Sequence, residues 1–183
     1  MKIGIISDTH GSLAGWRKAW PFLKETEVII HCGDVFNHGP GNPMPETYSP
    51  RELAEELNRV SVPLLVVKGN CDSEVDQLFL KVPFLSPVGL YQIDHYRFLF
   101  SHGHLFPQEK WLSLGQDWQA SFLLSGHTHQ ACLVKKEKLL LCNPGSLSLP
   151  KDGPATLVLI DLKIRTISLL ELPDGSTRQQ LSF

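Results

Sequence analysis

The sequence predicts two β-sheets packed face to face with helices outside them. Three observations lead there. Short apolar runs alternate with helical patterns through the first half, paired strands take over near residue 90, and every apolar run beyond Gln130 is strand-like. The first strand covers residues 3–6, followed by a turn and a helix over residues 13–24. Pro21 lies inside that helix and should end or kink it, because proline lacks the amide donor and crowds the preceding turn. Residues 28–32 form the second strand, and residues 36–49 are irregular, carrying N-H-G-P-G-N-P. Ser49-Pro50-Arg51-Glu52 then opens a helix with Ser at the cap, Pro in the first turn and Glu three residues after the Ser. Residues 64–67 are the third strand.

Residues 90–93 and 98–101 pair around a turn at Asp94-His95, a short helix covers 107–114, and residues 122–124 are a further buried strand. Strands over 132–135, 139–142, 155–162 and 165–172 complete the chain as a meander, with turns at Lys163 and Pro173-Asp174-Gly175. No repeat, low-complexity tract or composition break intervenes, so residues 1–183 read as one domain.

Bulk properties narrow the function classes. Apolar content of 42% and charged content of 20% are those of a globular chain. A net charge of −2 and a pI near 6.4 give no electrostatic case for nucleic-acid or membrane partners. The densest basic cluster, Lys135, Lys136 and Lys138, reads as a solvated hairpin tip. Cys32, Cys71, Cys132 and Cys142 form no C-x-x-C pair, which favours a reducing compartment, and Cys32 and Cys142 read as small core residues. Met1-Lys2 runs straight into a strand and no apolar run approaches the ~20 residues of a membrane span, so a cytoplasmic protein is expected.

Seven metal-ligand side chains each follow a strand-like run: Asp8, His10, Asp34, Asn70, His102, His127 and His129. Loops leaving strand C-termini gather at one edge of such sheets, which brings five chain segments to one place. Two pairs, Asp8/His10 and His127/His129, are spaced i, i+2, which in extended backbone puts both side chains on the same side. Four imidazoles, two carboxylates and one amide oxygen exceed the needs of one ion; two ions sharing a carboxylate would use them all. This donor mixture suits Mn, Fe, Zn, Co or Ni rather than Mg or Ca, and a two-metal site is common apparatus for displacement at phosphorus.

The motifs S-D-T-H-G, G-D-V, G-N-C-D, H-G-H and G-H-T-H, in that order, resemble those of the calcineurin-like metallophosphoesterases. F-N-H-G-P, N-C-D-S-E-V-D-Q and N-P-G-S extend the likeness to the YfcE-type bacterial phosphodiesterases over nearly the whole chain. The resemblance implies an α+β fold, a four-layer α/β/β/α sandwich of two mixed sheets, with a dinuclear centre often supplied with Mn2+; Ni2+, Co2+, Fe2+ or Zn2+ are alternatives. One metal would take Asp8, His10, Asp34 and His129, the other Asp34, Asn70, His102 and His127, with Asp34 bridging. The implied activity is hydrolysis of small phosphodiesters by in-line attack of a metal-bridging hydroxide.

One departure from the wider superfamily is Cys71, where many members carry His in G-N-H-D. A thiol of ordinary pKa, about 8.5, could still donate a proton but lacks the imidazolium charge. Diesters with good leaving groups should suffer least from that loss, so Cys71 is expected near the leaving group with Asp72 orienting it. His38 and His104 are candidates for contacting substrate, although His38 also reads as an ordinary loop residue and His104 as a residue that orients a ligand. His31 reads as structural, His95 as exposed, and Asn143-Pro144-Gly145-Ser146 as a turn beside the metals. Trp16 and Trp20 fit a helix-packing face, whereas Trp111 and Trp118 could line a pocket or a homo-oligomer interface. The competing functions are a scaffold on the same fold, as in the small retromer subunit, and a nuclease, which the absence of a basic stripe disfavours.

Overall fold

The structure, a computed structural model, describes residues 1–183. In chain order its elements are β1 (Lys2–Ile6), α1 (Leu13–Leu23), β2 (Val28–His31), α2 (Pro50–Leu57), β3 (Leu64–Val67) and β4 (Phe84–Leu85). They continue with β5 (Gly89–Ile93), β6 (Tyr96–Phe100), α3 (Gln108–Asp117), β7 (Phe122–Leu124), β8 (Cys132–Lys136), β9 (Leu139–Asn143), β10 (Thr156–Asp161), β11 (Thr166–Glu171) and β12 (Thr177–Ser182).

Two mixed sheets result. One has the order β12-β11-β10-β1-β2-β3-β4, parallel from β1 to β4 and antiparallel from β1 through β12. The other has the order β5-β6-β7-β9-β8, with a parallel centre and antiparallel edges. Strand alternation divides the apolar side chains among three interfaces. Ile3 and Ile5 of β1 meet Phe98 and Phe100 of β6 and Phe122 of β7 between the sheets. Ile6 instead joins Leu13, Trp16 and Leu23 of α1 and Leu53 and Leu57 of α2 outside the first sheet. On the outer face of the second sheet Leu99 and Leu123 pack with Trp111 of α3. The layers are therefore helix, sheet, sheet, helix, an α+β sandwich as expected.

Four details depart from the sequence reading. Pro21 does not end α1: both Pro21 and Arg17, whose carbonyl loses its helical partner, lie on the exposed face, while Lys24 N still donates to Trp20 O at 3.0 Å. Ser49 does not cap α2 through its side chain; its Oγ bonds Glu52 Oε1 at 2.9 Å instead. The presumed meander is split, β8 and β9 joining the second sheet and β10 and β11 the first. Finally, β4, β12 and a single 3-10 turn at Val75–Leu78 have no counterpart in the sequence reading. The Trp16–Trp20 helix face, buried Cys32 and Cys142, and exposed His95 are as read. No helix is long and apolar enough to cross a membrane.

Candidate metal centre

The loops after β1, β2, β3, β6 and β7 meet at one edge of the sandwich and bring most of the seven side chains together. Ligand atoms of Asp8, His10 and His129 lie within 4.8 Å of one another, as do those of Asp8, Asp34 and His102. His129 Nε2 is 3.2 Å from Asp8 Oδ1, and His102 Nε2 is 3.3 Å from Asp34 Oδ2. Asn70 is exposed, but its Oδ1 sits 2.9 Å from His102 Nε2. His127 stands at the rim, its ring centroid 5.1 Å from that of His102.

The i, i+2 pairs converge for a different reason from the one expected. Asp8 and His10 have φ of 53° and 46°, and His127 and His129 have φ of 71° and 59°, so neither pair is extended. Asp34, at φ 56°, shares the left-handed conformation, which Asp and His tolerate better than most residues. Gly33 is needed for close approach: a Cβ there would lie 2.9 Å from both Gly69 N and His102 Nδ1.

The imidazole hydrogen bonds show what the cluster is built to hold. Nδ1 of His10, His129 and His102 each faces a backbone carbonyl, those of Asn37 (2.6 Å), Leu149 (2.7 Å) and Cys32 (2.8 Å). A carbonyl only accepts, so each Nδ1 carries the proton and each neutral ring presents a bare Nε2 lone pair. Yet His10 Nε2 and His129 Nε2 face each other at 3.0 Å, beside the buried, unbonded Asp8 Oδ1. His102 Nε2 likewise faces the Asn70 and Asp34 oxygens. Lone pairs aimed at lone pairs repel unless a cation stands between them. The residues thus fit divalent ions through N and O donors, with Cys71 Sγ also within 4.8 Å of ligand atoms of His10 and Asp34.

Without a cation, protons would fill that role. Burial opposes charging His102, yet its contacts with Asp34 and Asp8 outweigh it and hold the imidazole up to about 9. For Asp8 burial likewise acts the other way, but His10 and His129 hold the carboxyl well below the usual range.

Two expectations for the Gly69-Asn70-Cys71-Asp72 loop are corrected. Burial, then the Asp34 carboxylate, pushes the Cys71 thiol up to about 12 in place of the ordinary value expected. Asp72 does not orient Cys71. Its Oδ2 accepts from Asp34 N and Gly69 N, both at 2.8 Å, and its Oδ1 from Val35 N at 2.8 Å. The buried carboxylate clamps the β2 loop to the β3 loop. His38 and His104 are half-buried and each has an Nδ1 without a hydrogen-bond partner. His104 lies 5.3 Å from His102 and 6.0 Å from His127 between ring centroids, whereas His38 packs on Tyr48 at 5.2 Å.

The N-P-G-S turn beside the metals and the structural His31 both act on neighbouring loops largely through backbone atoms, and Ser148 joins them. Ser146 and Ser148 hydroxyls both donate to the Asp8 carbonyl, at 2.7 and 3.0 Å. Asn143 Nδ2 donates to Gly126 O at 2.8 Å, fixing the His127 loop. The N-P-G-S turn therefore holds two ligand loops at once. His31 joins the β1 loop to the β2 loop, donating from Nε2 to Thr9 Oγ1 (2.7 Å) and accepting the Gly33 amide at Nδ1 (3.1 Å).

Comparison with known proteins agrees with this geometry. Residues 1–165 match the calcineurin-like phosphoesterase superfamily domain. Phosphodiesterase YfcE of Escherichia coli (strain K12) is 37% identical over 186 residues, covering 100% of this chain and 98% of that protein. The solved structure of YfcE, a phosphoesterase from E. coli, gives a TM-score of 0.88 at 36% identity over 100% of this chain and 99% of that one. A Vps29 single mutant from Entamoeba histolytica, at 20% identity, TM-score 0.72 and coverage of 100% and 99%, shares the fold alone. Fold, ligand-bearing loops and full-length similarity coincide, and the chain belongs to the calcineurin-like phosphoesterase superfamily.

Proposed function

We propose that this metallophosphoesterase is a phosphodiesterase acting on small organic substrates at two divalent metal ions. Asp8, His10, Asp34 and His129 would hold one ion and Asp34, Asn70, His102 and His127 the other. The observation that carries the reading is the opposition of bare imidazole nitrogens to one another and to carboxylate oxygens. Ions bound there, Mn2+ first among those the donors suit, would activate water for in-line displacement and offset charge on the phosphoryl oxygens. The YfcE likeness supports a diester substrate. So does Cys71, which stays a neutral thiol where an imidazolium would assist departure of a poor leaving group. The Vps29 likeness keeps a non-catalytic scaffold as the alternative, but a retained ligand set speaks against it.

Metal-reconstituted protein assayed on matched aryl mono- and diesters tests the reading. The diester should be preferred, Asn70→Ala and His127→Ala should abolish turnover, and Cys71→His should raise the monoester rate relative to the diester rate. A sample inert towards aryl diesters with Mn2+, Ni2+, Co2+ and Zn2+ alike would replace the enzyme reading with the scaffold.

A further inference from the structure

Cys71 sets a sulfur atom against the metal centre. Ligand atoms of His10, Asp34 and Cys71 all lie within 4.8 Å of one another, a donor set that overlaps the two proposed ligand groups without coinciding with either. We propose that these three side chains hold a thiophilic divalent ion such as Zn2+ or Cd2+ through a Cys71 thiolate, in competition with the ions that support hydrolysis. This rests on the metal-binding reading above and not on the choice of diester substrates.

Geometry carries the assignment. His10 is fully buried, and its Nε2 presents a bare lone pair because Nδ1 donates to the Asn37 carbonyl at 2.6 Å. Only acceptors face that nitrogen: His129 Nε2 at 3.0 Å, Asp8 Oδ1 at 3.6 Å and Asp34 Oδ2 at 3.8 Å. Two ligands of one tetrahedral zinc, each about 2.0–2.3 Å from it, stand about 3.5 Å apart. His10 and Asp34 are therefore spaced for one ion, and the sulfur supplies a third corner. Its surroundings hold it there. Cys71 N donates to Asp34 Oδ1 at 2.8 Å, which ties the residue to its fellow ligand. Asn70 Nδ2 donates to Sγ at 3.3 Å, and hydrogen bonds of this kind orient a coordinating atom. Gly39, at φ 75°, closes over the sulfur from the loop after β2, where a Cβ would lie 2.8 Å from Sγ.

Donor softness decides which ion is taken. Mn2+ favours oxygen donors and gains little from sulfur, so beside it Cys71 keeps its proton; Zn2+ and Cd2+ favour thiolate. As such an ion binds, the S–H bond breaks, its proton passes to solvent water, and the sulfur electron pair forms the bond to the metal. No oxidation state changes. An ion so placed occupies His10 and Asp34, two of the four donors proposed for one hydrolytic ion, and Asp34 is also the proposed bridge to the other. The two arrangements therefore exclude each other, and the thiol makes the centre discriminate between metals.

Titration of the full chain with Cd2+, followed by ultraviolet absorption and by competition against Mn2+, tests the assignment without turnover. The wild type should develop a sulfur-to-metal charge-transfer band. Cys71→Ser should lose that band, whereas Cys132→Ser, which removes the exposed cysteine, should keep it. The ratio of Cd2+ to Mn2+ affinity should fall about tenfold or more in Cys71→Ser and hold its wild-type value in Cys132→Ser. Cadmium NMR on the wild type needs no variant: one resonance should lie downfield of the range for nitrogen and oxygen ligands alone. A wild type that binds Cd2+ with neither the band nor the downfield resonance overturns the sulfur ligation while leaving the metal centre intact, and so does a band that survives in Cys71→Ser. A protein that binds neither Mn2+ nor Cd2+ overturns the metal-binding reading together with this one.

Discussion

Asp72→Asn is the substitution that best separates positioning from ligation. The carboxylate receives three amide donors, two at Oδ2 and one at Oδ1, and Asp72 is not among the proposed metal ligands. Asparagine has one acceptor oxygen. If that oxygen takes the place of Oδ2, the new NH2 faces the Val35 amide, leaving a buried donor opposed to a donor, at about 1–3 kcal/mol. The bonds from Asp34 N and Gly69 N survive but lose charge assistance, about 1 kcal/mol each. Burial pushes the Asp72 carboxyl up to about 6, so a neutral amide recovers about 3 kcal/mol of that loss at neutral pH; the expected net loss is about 1–2 kcal/mol, a fall in Tm of the order of 5 °C for a domain of this size. Asp34 would also lose its fixed backbone, so metal affinity should drop about 10- to 100-fold, as for other outer supports of a ligand. Thermal unfolding of metal-free protein measures the first quantity and calorimetric titration with Mn2+ the second. A stability loss under about 1 kcal/mol with unchanged metal affinity would refute the clamp.

Three further outcomes follow from the packing. Burial holds the His31 imidazole down to about 4, below the ordinary 6.5 that it regains on unfolding. Between those values the unfolded chain takes up a proton that the native ring refuses, so stability drops as pH falls through that window, by about 3 kcal/mol in total. His31→Gln should flatten that limb in denaturant titrations from pH 7 to pH 4, and an identical pH slope in both proteins would count against it. A Cβ at Gly69 would collide with the Asp34 carboxylate and backbone nitrogen; Gly69→Ala should therefore weaken Mn2+ binding by roughly tenfold or more by calorimetry, and wild-type affinity would contradict the close approach. Phe98 and Phe122 stack at 4.5 Å and 3°, fully buried between the sheets. Phe98→Ala should cost about 3–5 kcal/mol in urea unfolding, and a loss below about 1 kcal/mol would mean that the sheets repack around the gap.

What the sequence reveals of this molecule depends on whether side chains or backbone atoms do the work. Metal chemistry admits few residue types, so Asp8, His10, Asp34, His102 and His129 stand out by identity and by their place after apolar runs. The sandwich is legible because Ile3, Ile5 and Ile6, or Phe98, Leu99 and Phe100, are apolar on both faces, which demands a layer on each side. By contrast β12, T-R-Q-Q-L-S, carries no alternation: nearly all of it is exposed, and hydrogen bonds to β11 alone define it. The partners that fix the imidazoles are carbonyls of Asn37, Leu149 and Cys32, and a carbonyl leaves no trace in side-chain identity. The Asp72 clamp is illegible for the same reason, since its three partners are all backbone amides.

The left-handed backbone at Asp8, His10, Asp34, His127 and His129 bears on how the centre forms. Each such non-glycine residue costs about 1–3 kcal/mol unless its surroundings impose it. Here the surroundings do. Beyond the ends of β1 and β2 the two loops go on pairing, Asp8 N to Gly33 O, His10 N to Asp34 O and Gly11 N to Val35 O, at 2.8–3.0 Å. Ser146 and Ser148 tie down the Asp8 carbonyl, and Lys151 N donates to the His129 carbonyl at 3.0 Å. These bonds are made by backbone and hydroxyl groups outside the ligand atoms, and they offset the strain from within the fold. A site built this way presents its lone pairs already opposed, and that repulsion is relieved only when a cation or proton arrives. Ligand side chains and left-handed turns coincide because Asp and His are both good donors to metals and, among non-glycine residues, tolerant of positive φ.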